Sequence, residues 1–305
     1  MQIFHKANFD FVSKRKIFLI LSVIFIFAGI LIPGLLGLDY GIDFEGGVEM
    51  AVKFEKPIKT ERIRNAVSNI GIQGAEVKSF GKENQYIIRI KKPTLPLVEI
   101  AETINKAIPE YKMSLLKVDE IGAKIGAELR NQAILAIVIA LILLLIYIAF
   151  RFEFVYGLGA VFAILHDIVV TFAVSIALHK LGVVIMEINQ IFLAAMLTVI
   201  GYSINNTVVI FDRIRENNVL MKGKDFIFIV NSSVNETLSR TVITVITMLL
   251  ALVTLIIFGG PVLLPFALIM TLGTIFGVYS SIYISSSFVI WYQEQKIKKI
   301  STKKA

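Results

Sequence analysis

Residues 241–292 form a run of 52 positions without one Asp, Glu, Lys, Arg or His. Such a run belongs in lipid, yet a bilayer core about 30 Å thick needs only roughly 20 apolar residues of helix. The run therefore holds two spans, divided at Gly259-Gly260-Pro261, where Pro lacks a backbone N–H and Gly supports a turn. The expected spans are 241–258 and 263–292. The same reasoning places four more, at 17–36, 131–150, 154–178 and 188–211. The first two of these are uncharged, the third is apolar except for His166 and Asp167, and the fourth is uncharged but rich in polar residues.

Composition agrees and excludes several classes. Hydrophobic residues make up 56% of the 305 positions and the mean hydropathy is +0.77, against about 45–50% apolar in a soluble domain. Disorder is excluded by the apolar content. With no cysteine, disulfide scaffolds, thiol catalysis, iron–sulfur clusters and Cys-zinc sites are excluded. His5, His166 and His179 are too dispersed for metal-ligand spacing. No phosphate-cradling loop is present, since Gly81-Lys82 and Gly223-Lys224 lack the rest of a P-loop. The expectation is a protein that is not an enzyme and carries no cofactor and no metal.

Lys/Arg bias sets the orientation. With the N-terminus inside, segments 1–16, 151–153, 212–240 and 293–305 hold 4, 1, 5 and 5 Lys/Arg, fifteen in all. The short outer loops 179–187 and 259–262 hold one, Lys180. Both termini are thus expected in the cytoplasm, with a basic cytoplasmic tail at 293–305, and 37–130 on the outer side of the cytoplasmic (inner) membrane. The first span follows Lys14-Arg15-Lys16, exceeds a usual signal-peptide core and has no Ala-x-Ala site behind it, so it reads as an uncleaved anchor.

Segment 37–130 has soluble patterning, with 15 Lys/Arg and 14 Asp/Glu. Alternation predicts strands at 48–55, 75–80, 85–91 and 111–118, the middle pair joined by a hairpin turn at 81–84. Helical spacing predicts helices at 60–70, with Thr60 as cap, and at 96–108. The order β-α-β-β-α-β is the ferredoxin-like arrangement. The fold class is thus a polytopic α-helical membrane protein with six transmembrane helices and one α+β ferredoxin-like extracytoplasmic domain. Residues 122–130 are expected to lead helically into the second span.

Ionisable groups within a span cost roughly 2.5–3.5 kcal/mol on insertion scales, so each needs an account. His166-Asp167 lies mid-span, and at least one of the pair is expected to face the bundle interior. It reads either as a hydrogen-bonded packing lock or as a proton or ion relay. In the fourth span, Gly201-Tyr202-Ser203-Ile204-Asn205-Asn206-Thr207 reads either as small-residue packing or as the lining of a polar path. Arg240, opening the fifth span, either snorkels to the inner interface or reaches Asn206, which lies about 8 Å in from the same side by helical rise. Gly273-x-x-x-Gly277 is a small-xxx-small packing face. Residues 226–230, apolar amid charges, read as a hydrophobic loop anchor in preference to a short surface helix. A hydrolase using His166, Asp167 and Ser203 is disfavoured because nothing orders a Ser–His pair.

These motifs resemble the SecF branch of the SecD/SecF family of bacterial protein-export membrane proteins, within the resistance–nodulation–division superfamily. The resemblance rests on Leu38-Asp39-Tyr40-Gly41-Ile42-Asp43-Phe44-Glu45-Gly46-Gly47 after span one, on Leu165-His166-Asp167, on the stretch from Gly201 through Asp212-Arg213 to Asn217, and on Asn235-Glu236-Thr237-Leu238-Ser239-Arg240-Thr241. It covers nearly the whole chain in order. It implies a subunit that pairs with a SecD-like subunit and the SecYEG channel, near YajC- and YidC-like proteins, in contact with unfolded preprotein and the lipid bilayer. It implies use of the transmembrane ion gradient to promote export and release on the outer side. The family usually has Asp where this chain has Asn206, paired with the Arg matching Arg240 in a proton path. An amide cannot titrate in the useful range, so the relay falls to a SecD acid, to Asp167 or to another ion. Protonating an acid near Arg240 would weaken an ion pair, and spans one and two would carry the shift outward. The alternative is half of a resistance–nodulation–division-type exporter of small molecules or lipids. Six spans argue for a half-unit that needs a partner.

The net charge of +8 sits in the inner segments. It is a topology signal and not a nucleic-acid footprint.

Overall fold

The computed structural model describes residues 8–72, 75–79, 84–91, 97–151 and 153–304. His5, residues 81–83 of the expected hairpin turn, Pro96 and Phe152 lie outside the described residues. Among the described residues, six helices are long and apolar enough to cross a membrane. The chain divides into an α+β unit, Asp39–Ala136 with Glu187–Gln190, and a helical unit, Met1–Leu38, Ile137–Met186 and Ile191–Ala305.

Helix α1 (Arg15–Leu36) and a single turn, α2 (Ile42–Glu45), precede strand β1 (Gly47–Phe54). Then follow α3 (Thr60–Asn69), β2 (Glu76–Ser79), β3 (Gln85–Ile90), α4 (Leu97–Ala107) and β4 (Met113–Ile121). The four strands lie in the order β2-β3-β1-β4, and all neighbours are antiparallel. This is the ferredoxin-like arrangement the alternation predicts. Along β1, Val48, Met50, Val52 and Phe54 are buried, in one core with Ile63 and Val67 of α3 and Ile100 and Ile104 of α4. Each such side chain contributes about 1.5–3 kcal/mol by leaving water. Thr60 is the first residue of α3 and not its cap. The N-cap is Lys59, and no side chain caps the helix.

The helical elements run through several expected boundaries. Helix α5 (Ala123–Arg151) is continuous, so the expected division at 130/131 is not a break in secondary structure. Helix α6 (Phe154–Lys180) covers the third span. Helices α7 (Gln190–Leu220) and α8 (Phe226–Phe258) both extend far into the expected inner loop 212–240, leaving only 221–225 outside helix. Residues 226–230 are the first turn of α8, neither a separate surface helix nor a loop anchor. Gly259 ends α8 and starts α9 (Gly260–Ser280), which passes through a π turn (Ser281–Ser285) into α10 (Ser286–Lys304).

Glycines set the closest helix approach. A Cβ on Gly273 would overlap Val199 of α7, and one on Gly277 would sit 3.4 Å from Ser203 Cβ. The Gly273/Gly277 face therefore packs α9 onto α7. At the opposite end of the chain, the amides of Asn231 and Asn235 on α8 grip an N-terminal strap. Asn235 Oδ1 accepts the Phe9 N–H at 2.8 Å, and Asn231 Oδ1 accepts the Phe11 N–H at 3.0 Å. Both Nδ2 groups donate to Phe9 O. Arg15 ion-pairs with Glu294 at 2.8 Å.

Candidate functional site

His166 and Asp167 sit in mid-α6, each 1% exposed. Adjacent helical residues do not share a direction, yet both point inward here because they bond to each other: His166 Nδ1 lies 3.0 Å from Asp167 Oδ1. The other carboxylate oxygen, Oδ2, accepts hydroxyl hydrogen bonds from Ser203 of α7 and, at 2.7 Å, from Ser280 of α9. The His166 ring stacks on Tyr279, with centroids 5.6 Å apart. The Tyr279 hydroxyl donates to Phe18 O at 2.6 Å and lies 2.8 Å from Ser22 Oγ on α1. Four helices thus meet at one carboxylate and its neighbours.

The electrostatics are unusual for a buried acid. Desolvating a carboxylate costs several kcal/mol unless a cation compensates it. Among the described residues, no Lys or Arg pairs with Asp167. It is held by dipoles and by an imidazole. Such a group can take up a proton or a monovalent cation, because either restores neutrality. Nearby chemistry is incompletely satisfied as well. His166 Nε2, Asn206 Nδ2 and the hydroxyls of Thr171, Thr207 and Thr274 are buried without a partner among the described residues. Buried polar atoms normally have one.

The structure sorts the fourth-span residues by face. Ser203 and Asn206 are buried, whereas Gly201 and Asn205 are exposed. The Tyr202 hydroxyl donates to Thr244 O at 3.3 Å. Further along α7, Asp212 pairs with Arg151 at 3.2 Å, and Arg213 bonds Glu236 and Glu216. Arg240 is exposed on α8 and meets neither Asn206 nor Asp167 among the described residues. Of the two readings of Arg240, the approach to Asn206 does not form among the described residues, and Arg240 makes no ion pair with Asp167 there. No triad forms either, since Ser203 donates to the acid and not to His166. Ser280 is the member that sequence reading missed. Its signal is the serine-rich stretch Ser280-Ser281 and Ser285-Ser286-Ser287 inside an apolar span, which here surrounds a π turn, a feature frequent at functional sites.

The motif after span one builds a second, different structure within the α+β unit. Tyr40 forms a parallel bridge with Ile188. Asp39 O accepts the Ile188 N–H at 2.9 Å, and the Gly41 N–H donates to Ile188 O at 3.0 Å. Asp43 Oδ2 accepts the backbone N–H of Gln190, the first residue of α7, at 3.0 Å. Gly46 has φ +76°, and a Cβ there would lie 2.6 Å from Ala123 Cα. At Gly47 a Cβ would lie 2.6 Å from Ile90 O. The paired glycines thus let the chain turn tightly against α5 and β3.

Comparison with known proteins agrees with this architecture. The family described as "Protein export membrane protein SecD/SecF, C-terminal" matches residues 100–295, and the SecD/SecF GG motif matches residues 34–58. The chain is 38% identical over 293 residues to a protein translocase subunit SecF from Calditerrivibrio nitroreducens, covering 93% of both. It is 40% identical to one from Thermodesulfovibrio yellowstonii, covering 95% of this chain and 96% of the relative. A crystal structure of SecDF, a translocon-associated membrane protein, from a Thermus species superposes with a TM-score of 0.85 at 31% identity. That match covers 96% of this chain but 40% of the longer SecDF chain. A second SecDF structure, in a super-membrane-facing form, gives a TM-score of 0.68 at 30% identity. On these grounds the chain belongs to the SecD/SecF family of protein export membrane proteins.

Proposed function

We propose that this chain is the SecF-type half of a two-part membrane motor that uses the transmembrane ion gradient to draw preproteins outward and release them on the outer side. The observation that carries the reading is Asp167: a buried carboxylate without a cationic partner among the described residues, held by His166, Ser203 and Ser280 at the meeting of α6, α7 and α9. Because Asn206 cannot ionise, Asp167 takes the role of the ion-responsive acid. The unpartnered polar atoms of His166, Thr171, Asn206, Thr207 and Thr274 support a hydrated or ion-conducting path beside it. Moving one charge through 100 mV is worth about 2.3 kcal/mol, enough to bias two conformations a few kcal/mol apart.

The partner is a SecD-like subunit, with the SecYEG channel, YajC- and YidC-like proteins and unfolded preprotein as further contacts. Ala194, Thr198, Gly201 and Asn205 support a helical partner, because they leave a small and polar stripe of α7 uncovered within an apolar span. The protein crosses the inner membrane with both termini in the cytoplasm and the α+β unit outside, as fifteen inner Lys/Arg against one in the short outer loops indicate.

Asp167→Asn tests the reading. With the variant as sole copy beside its SecD-like partner, gradient-dependent export falls while membrane accumulation stays near normal. Export at the wild-type rate sinks it. Asn206→Asp probes the same path, and an altered pH or sodium dependence of export is expected.

A further inference from the structure

The loop joining α6 to α7 does more than reverse the chain. Its last residues, 187–189, together with Gln190, which opens α7, belong to the α+β unit. Glu187 is buried, and its carboxylate is bonded by Arg89 of β3 and, at 3.1 Å, by Lys78 of β2. Arg89 is itself buried and also pairs with Glu49 of β1. Burial opposes the Arg89 charge, but the Glu187 and Glu49 carboxylates outweigh it and raise the guanidinium above its ordinary range. Burying a glutamate in a surface loop costs several kcal/mol without such partners, so this loop is held and not merely adjacent. Ile188 is laced to Asp39 and Gly41 by two backbone hydrogen bonds. A Cβ on Gly41 would lie 2.9 Å from Asn189 Cβ, so only glycine admits the loop this closely. Finally, Asp43 caps Gln190, placing a carboxylate at the N-terminus of a 31-residue helix where it satisfies an orphan N–H and faces the positive end of the helix dipole.

We propose that Glu187 and Asp43 are positioning residues of the coupling step: they clamp the start of α7, the helix that carries Ser203, to the outer domain, and the clamp stays shut through the transport cycle. A shift of α7 when Asp167 changes charge then moves the outer domain directly, without relying on spans one and two alone. This rests on Asp167 being the ion-responsive group.

The test uses the full chain as sole copy beside its SecD-like partner, with preprotein export measured with and without an ionophore. Glu187→Ala and Asp43→Ala lower the gradient-dependent part at least about fivefold, the low end for coupling between sites, and leave ionophore-resistant export unchanged. Arg89→Met with Glu187→Leu keeps the clamp closed by apolar packing and retains coupling. Tyr40→Cys with Ile188→Cys, in a chain without other cysteines, joined by a short thiol crosslinker, also exports normally. Wild-type gradient dependence in both single variants overturns the proposal, as does loss of export on crosslinking. The crosslinked pair decides the matter if a single variant fails to accumulate. Asp167→Asn is run in parallel. If it is silent, the ion reading fails; if it is defective while the clamp variants are normal, the clamp alone fails.

Discussion

Ser280 donates its hydroxyl to Asp167 Oδ2 at 2.7 Å across 113 residues of chain, and Ser203 donates to the same oxygen. The two serines act on one atom, so their removal is not independent. A hydrogen bond to a charged group is worth about 1.5–3 kcal/mol. Ser280→Ala and Ser203→Ala each slow gradient-dependent export, and the double variant departs from additivity by about 0.5 kcal/mol or more. Export rates in a double-mutant cycle measure this, and strict additivity contradicts it.

Breaking the Arg89–Glu187 pair from one side strands a buried charge. Arg89→Ala destabilises the protein by about 3–5 kcal/mol. Arg89→Met with Glu187→Leu recovers most of the loss. Thermal unfolding of the purified protein in detergent reads both.

Gly273 lies where a Cβ would overlap Val199. Gly273→Ala therefore forces α7 and α9 apart and costs about 1–3 kcal/mol through overpacking. Val199→Ala opens the space again, so the double variant melts above the Gly273→Ala single variant. A lower melting point in the double would show the approach to be set elsewhere.

Gly46 combines φ +76° with backbone crowding from Ala123, whereas nothing lies within 4 Å of a Cβ on Gly34. Gly46→Ala costs about 1–3 kcal/mol of backbone strain beyond the clash. Gly34→Ala in α1 is neutral or slightly stabilising. Protease sensitivity of the two variants in membranes separates them.

The six spans and the β-α-β-β-α-β order were legible because both are short-range patterns: apolar runs as long as a bilayer is thick, and alternation at period two. Helix continuity was not. The change from charged to apolar residues near 130, and the reverse near 211, is a change in composition and not in helicity, and α5, α7 and α8 run straight through. His166 and Asp167 stood out as ionisable groups in an apolar span. Ser280 did not, because a serine in a membrane helix reads the same whether it packs or bonds an acid 113 positions away. Glu187 was not legible as a clamp residue. Its partner Arg89 is 98 positions upstream, and no local period links them. Arg240 carried a motif match but is turned outward, a fact that depends on which face of α8 the other helices cover.

The asparagine grip on the N-terminal strap bears on how the protein is made. Phe9 is bonded by Asn235, 226 positions later. At about 5–20 residues per second of synthesis, the strap waits some 10–45 s for its binding site to exist. Its docking is therefore a late event of assembly, available only after the start of α8 has been synthesised. A nascent chain halted before residue 231 leaves residues 9–12 free of that grip, so protection of this segment from protease marks a chain in which the first turns of α8 have formed.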